Sequence, residues 1–153
     1  MRYTKLGHSC VRLEKDGAVL VIDPGVWAAA AAAMTGAAAV MVTHEQADHL
    51  DADAVRAALW ASPELTLWAN PQVTAQFTEF GDRVHETRRG DVLSAAGFGV
   101  HVCGHDHALI HQDIPSVVNT GFWSRANCSI RAARSPSPAS RSGLCWCRSP
   151  APG

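Results

Sequence analysis

Residues 1–17 contain no uninterrupted apolar stretch of secretory length, because Arg2, Lys5, Arg12, Glu14, Lys15 and Asp16 break every apolar run. No signal peptide is therefore expected. Without a secretory context, five cysteines, an odd number, make little case for a disulfide framework. Residues 25–43 lack any charge and are long enough to raise the question of a membrane span. They are rich in alanine, however, and one methyl group per residue supplies little transfer free energy; Gly36 interrupts them as well. The expectation is a cytoplasmic protein with no membrane partner. The chain has no internal repeat. Lysine and both acids vanish after residue 122: residues 123–153 hold five Arg and no Lys, Asp or Glu, whereas residues 1–122 hold 8 Lys and Arg against 14 Asp and Glu. A bland net charge of −1 thus conceals an acidic part joined to a basic one, and all eight histidines lie in the acidic part.

What is present fits one domain. A length of 153 residues, 47% hydrophobic and 18% charged, is enough to bury a core and reads as globular. Residues 2–6, 9–14 and 18–22 are predicted as short strands, with turns at Gly7-His8 and Asp16-Gly17, the latter a hairpin signal. Asp23-Pro24-Gly25 breaks the chain. Residues 28–33 are all alanine, which favours helix without an amphipathic pattern to dock it. A strand is predicted over 38–42 and a helix over 51–60, with Val55 and Leu59 spaced by four. Another strand follows over 65–69, then a second helix over 71–80, proline at its start and Gly81 after it. Residues 91–94 and 98–103 read as a hairpin around Ala95-Ala96-Gly97, with further strands over 108–111 and 117–122. Strands first, then helices alternating with strands, argue for a layered α/β domain over residues 1–122.

Residues 123–153 have no periodicity and are dense in Ser, Pro, Arg and Ala. One reading is a disordered basic extension. The genetic code supports another. Phe122 followed by Trp123 can encode only leucine when read one base early, and GC-rich codons continue that frame as LVEGELLHPGGALTVP, a strand-like string. We read residues 123–153 as a non-homologous tail, disordered or, as we prefer, the product of a frameshift near codon 122.

The apolar run ending at Val42 opens into Thr43-His44-Glu45-Gln46-Ala47-Asp48-His49-Leu50-Asp51. Imidazole nitrogen and carboxylate oxygen suit zinc and similar divalent ions, and a strand end holds them rigidly. Three ligand-type residues, His44, Asp48 and His49, within six positions mark a metal site more strongly than any lone histidine. A second cluster, His101, His105, His107 and His111, follows; alternation places His101 and Cys103 on one strand face. Cys10 and Cys103 read as buried strand residues, not nucleophiles. Cys145-Trp146-Cys147 is too closely spaced for the usual zinc pairs.

The loop resembles the H-x-H-x-D-H motif of the metallo-β-lactamase superfamily, with Gln46 where that family has histidine. Gly7-His8-Ser9-Cys10 and Ile22-Asp23-Pro24-Gly25 resemble two early turns of the same family, and place His8 and Asp23 at the border of the site or in a role shaping turns. Over residues 1–122 the chain is most similar to small bacterial metal-dependent hydrolases that include the ascorbate-lactonase-like group. The resemblance implies an αββα four-layer sandwich, here incomplete and limited to its N-terminal part. It implies metal ligands at His44, Asp48, His49 and His107, with His105 as the rival for the last, and one or two Zn2+ ions, Mn2+ being the other candidate. Metal-bound hydroxide would attack an ester, lactone or phosphoester while Asp48, the catalytic residue, positions it. A bridging aspartate and a final histidine would come from beyond residue 122. The expected partner is a small-molecule substrate; no nucleic acid is expected. Two other readings stand beside the hydrolase: an inactive remnant binding one metal or none, and a binding protein working through the basic tail.

Overall fold

A computed structural model describes residues 1–106, 118–124 and 128–130. The predicted strand over 108–111, His107 and the tail beyond 130 lie outside the described residues. A six-stranded sheet runs β1 (Arg2–Lys5), β2 (Val11–Lys15), β3 (Ala18–Ile22), β4 (Ala39–Val42), β5 (Thr66–Ala69), β6 (Val84–Glu86) in sequence order. The first three strands are antiparallel, and β3 to β6 are parallel. Between the parallel strands lie α1 (Ala30–Ala33), α2 (Ala52–Ala61) and α3 (Pro71–Thr74). A second, antiparallel sheet has the order β10-β9-β8-β7, from β7 (Val92–Ala95), β8 (Phe98–Asp106), β9 (Val118–Ser124) and β10 (Cys128–Ile130). It therefore continues past residue 122.

Period-two alternation sorts the side chains between two cores. Leu20, Ile22, Ala39 and Met41 face the second sheet and pack with its Ala95, Phe98, Val100, Val102 and Phe122. Their neighbours Val21, Val40 and Val42 point the other way and meet the helices through Val55, Leu59, Val73 and Phe77. β4 is buried at all four positions, as a parallel strand covered on both faces must be. The arrangement is helices on sheet on sheet, three layers of the expected sandwich among the described residues. None of the helices described is long and apolar enough to cross a membrane.

Local chemistry explains most boundaries. Asp16 and Gly17 both adopt positive φ, 51° and 82°, the conformation a two-residue hairpin between β2 and β3 demands. The Asp51 side chain accepts a bond from the amide of Ala54 and starts α2. Arg83 donates to the carbonyls of Leu59 and Ser62, 2.7 and 3.1 Å, and closes its other end. The alanine run docks because its methyl groups allow close approach: Ala30 and Ala33 are buried, and Arg12 donates to the carbonyls of Ala33 and Thr35.

Two sequence expectations are corrected. The single helix over 71–80 is instead α3, capped by Asn70, followed by a 3₁₀ segment over Thr78–Arg83. The amides of Gln76 and Phe77 turn to the i−3 carbonyls of Val73 and Thr74, and the Thr74 hydroxyl donates to Pro71 O. A run of threonine and phenylalanine has too little helix preference to resist that tightening. β6 has only three residues and carries no pattern to announce it. Cys103 is half-buried, unlike Cys10, because β8 turns it toward the outer face of the second sheet.

Candidate metal centre

The site forms where β1, β3 and β4 each end in a turn. Asp23 follows β3 in the left-handed conformation, φ 50°, which aspartate tolerates better than most residues. Its buried carboxylate accepts the Thr43 amide at 2.8 Å and the Thr43 hydroxyl at 2.9 Å, joining the ends of two adjacent parallel strands. The same carboxylate accepts Nδ1–H of His49 at 2.8 Å. Thr43 O in turn receives the Asn70 amide at 3.2 Å and the backbone N–H of Thr120 at 2.9 Å, so both sheets brace this strand end.

The ligand loop is held against the Asp23 turn by its main chain. Val26 N donates to Ala47 O, Asp51 N donates to Pro24 O, and the Ser9 hydroxyl donates to Asp48 O. A Cβ on Gly25 would stand 2.1 Å from Asp48 O, so only glycine allows this approach. Gly7, at φ +96°, brings the β1–β2 turn close enough that a Cβ there would meet Trp27 O at 2.8 Å.

These contacts bring His8, Asp48 and His49 together, with one ligand-type atom from each lying within 4.8 Å of the others. Nε2 of His8 is 3.2 Å and Nε2 of His49 3.5 Å from Oδ2 of Asp48. Burial opposes the charged form of His49, but the hydrogen bond to Asp23 and the charges of Asp23 and Asp48 outweigh it, and its pKa stands above the ordinary value. The Asp23 bond also fixes the tautomer, since a proton on Nδ1 leaves Nε2 as the lone pair turned toward Asp48. Two imidazole nitrogens and a carboxylate are a donor set that fits a zinc-like divalent ion, and a carboxylate behind one imidazole is the usual support for such a ligand.

Of the four sequence-predicted ligands, Asp48 and His49 converge here. His44 is buried beside them, its ring centroid 4.0 Å from that of His49, yet its own nitrogens lie against Thr43 Oγ1 at 3.0 Å and Gln46 Oε1 at 3.1 Å. His107 lies outside the described residues. His101 is remote from the cluster, on the outer face of the second sheet with its ring against Trp123. His8 and Asp23 were readable from the sequence only as neighbours of the site, through the resemblance of Gly7-His8-Ser9-Cys10 and Ile22-Asp23-Pro24-Gly25 to two turns of the family.

The family model described as the beta-lactamase superfamily domain matches residues 2–130. Protein Rv0786c of Mycobacterium tuberculosis is 35% identical over 122 residues, which cover 80% of this chain and 56% of that protein. The chain thus spans little more than half of that relative's length. Igni18, a metallo hydrolase from the archaeon Ignicoccus hospitalis, superposes with a TM-score of 0.58 at 19% identity, covering 84% of this chain and 57% of its own. The metallo-beta-lactamase fold protein YhfI from Bacillus subtilis gives 0.58 at 14%, covering 82% and 54%. CmlA, a diiron β-hydroxylase from Streptomyces venezuelae, also gives 0.58, at 16%, covering 80% and 27%. Likeness at these identities establishes the fold, and neighbours described as a hydrolase and as a diiron hydroxylase show how widely that fold is used.

Proposed function

The chain belongs to the beta-lactamase superfamily domain family, and from that premise we propose that it serves a metal-dependent hydrolase acting on an ester, lactone or phosphoester. The single observation that carries the reading is the convergence of His8, Asp48 and His49 around Oδ2 of Asp48, with Asp23 fixing His49 from behind. His8, Asp48 and His49 would hold a divalent ion, Zn2+ or Mn2+, which would supply Lewis acidity and lower the pKa of water at the site to about 7. The chain's own residues do the rest. His49 presents Nε2 because Asp23 holds the proton on Nδ1. Asp48, anchored through its carbonyl by Ser9, keeps its carboxylate between the two imidazoles, where it accepts a hydrogen bond from water and orients it toward the substrate. Exposed Trp27, its indole 5.1 Å from the His8 ring, gives the mouth of the site an apolar wall for the substrate's body.

One observation favours a second reading, an inactive domain that binds a single ion: Gln46 occupies a histidine position and engages His44. Turnover of a nitrophenyl ester, a lactone and a nitrophenyl phosphodiester by the Zn2+- and Mn2+-loaded chain separates the two. We expect hydrolysis of one class that chelator abolishes, and a fall of at least about 100-fold for Asp48→Asn, the scale of a lost catalytic group. Turnover unchanged by chelator or by Asp48→Asn sinks the hydrolase reading. Stoichiometric metal without turnover on any class favours the inactive one.

A further inference from the structure

We propose that His8 is a metal ligand: Nε2 of His8, the carboxylate of Asp48 and Nε2 of His49 hold one divalent ion, while Gln46 keeps His44 out of the ligand set. The inference rests on the metal-dependent reading above and names the residues that carry it in this chain.

His8 lies 36 positions or more from the ligand loop in sequence, yet its Nε2 is 3.2 Å from Asp48 Oδ2. Its ring is held edge-on against the Trp27 indole, centroids 5.1 Å apart, and against the His49 ring at 6.0 Å. The turn beneath it is tied by Lys5 Nζ, which donates to His8 O at 2.7 Å, and by the Leu6 amide, which donates to Cys10 O. The imidazole is thus placed by its own turn, by Trp27 and by His49 of the ligand loop.

His44 has the opposite circumstances. It comes from the ligand loop itself, but it is 1% exposed and its two ring nitrogens are engaged by Thr43 and Gln46. Joining an ion would require breaking the part-buried Gln46 contact, which leaves polar groups unpaired. His8 asks for no such exchange. Its side chain is half exposed, so the cluster faces solvent on that side. Three protein donors with an open side make a site of the kind that keeps a position for water or substrate.

Without an ion, the same three residues are a partly exposed His–Asp contact worth little to stability, so metal binding is the property to measure. The full chain is titrated with Co2+ and Zn2+, reading bound metal per chain and the visible Co2+ spectrum, for the wild type, His8→Ala, His8→Gln and a distant control, His101→Ala. Thermal unfolding of each variant checks that the fold persists. The expected result is one ion per chain. Affinity falls at least about 100-fold in both His8 variants, beyond the usual cost of losing a supporting residue. The Co2+ spectrum loses intensity, and the His101→Ala control is unchanged. A wild type that binds an ion with His8 variants within threefold overturns the ligand assignment and leaves the metal reading standing. Two ions per chain overturn the single-ion site. No ion bound by the wild type overturns both.

Discussion

The two sheets are built from similar short strands and treated differently by the fold. The six-stranded sheet is covered on both faces, by helices on one side and the second sheet on the other. The four-stranded sheet is covered, among the described residues, only on the face that meets the first. Its outer face carries Val92 at 69% exposure and Trp123 at 40%, with the half-buried His101 between them in register. Asp48 and His49, of the candidate cluster, hang from the end of the fully buried β4, whereas His8 hangs from the largely exposed edge strand β1. A donor set must hold its geometry closely, and a strand immobilised from both sides provides that for Asp48 and His49. A histidine on the open face, His101, has a ring partner but, among the described residues, no carboxylate support.

The largest test of this contrast is Asp23→Ala. That change removes the acceptor of Thr43 N, Thr43 Oγ1 and His49 Nδ1 at once. Breaking a buried charged network of this kind costs about 3–5 kcal/mol, read by urea denaturation, and the site should lose metal affinity with it. A loss below about 1 kcal/mol would mean that the strand ends are held by something else. Next is the pair Leu67→Ala and Val92→Ala. Leu67 is fully buried in the doubly covered sheet, and its truncation should cost about 2–5 kcal/mol. Val92 lies on the open face, and its truncation should stay within about 0.5 kcal/mol. Equal losses would show that the outer face of the second sheet is covered after all.

The smallest effect at neutral pH concerns the cysteines. Burial and the neighbouring Asp23 charge push the Cys10 thiol up to about 11 from an ordinary 9.0, against a smaller opposing pull from Lys5. A thiol kept neutral in the folded state contributes stability fully below the unfolded pKa. That contribution is lost as pH rises from about 9.0 toward about 11, because the unfolded chain ionises first. Stability should therefore decline across that window in the wild type and decline less in Cys10→Ala. At pH 8, iodoacetamide should label half-buried Cys103 well before Cys10; the reverse order would contradict the burial of Cys10.

The elements that were legible in the sequence are those whose cause is local. The Asp16-Gly17 hairpin, β4 with its uninterrupted apolar run, and α2 with Asp51 before it each carry their signal within a few residues. The 3₁₀ segment was not legible, because Val73, Phe77 and Phe80 suit one face of a continuous helix equally well. β6 is defined only by its neighbour β5. At the site, Asp48 and His49 were legible from spacing after a strand. The joining of His8 was not, since it depends on how closely two glycine-bearing turns approach across the sheet. Nor does spacing tell that a glutamine two positions on will engage His44.

That close approach has a mechanical consequence. Gly25 meets Asp48 main chain to main chain, with no side chain between them to yield. The contact works as a hard stop: the two main chains already lie so close that not even a methyl group fits between them, so the Asp23 turn and the ligand loop cannot close further on each other. For an engineer the two turns behave as a prefabricated bracket. Its calibration rests on Gly25 and, one turn away, on Gly7, because a side chain at either position would force the main chains apart.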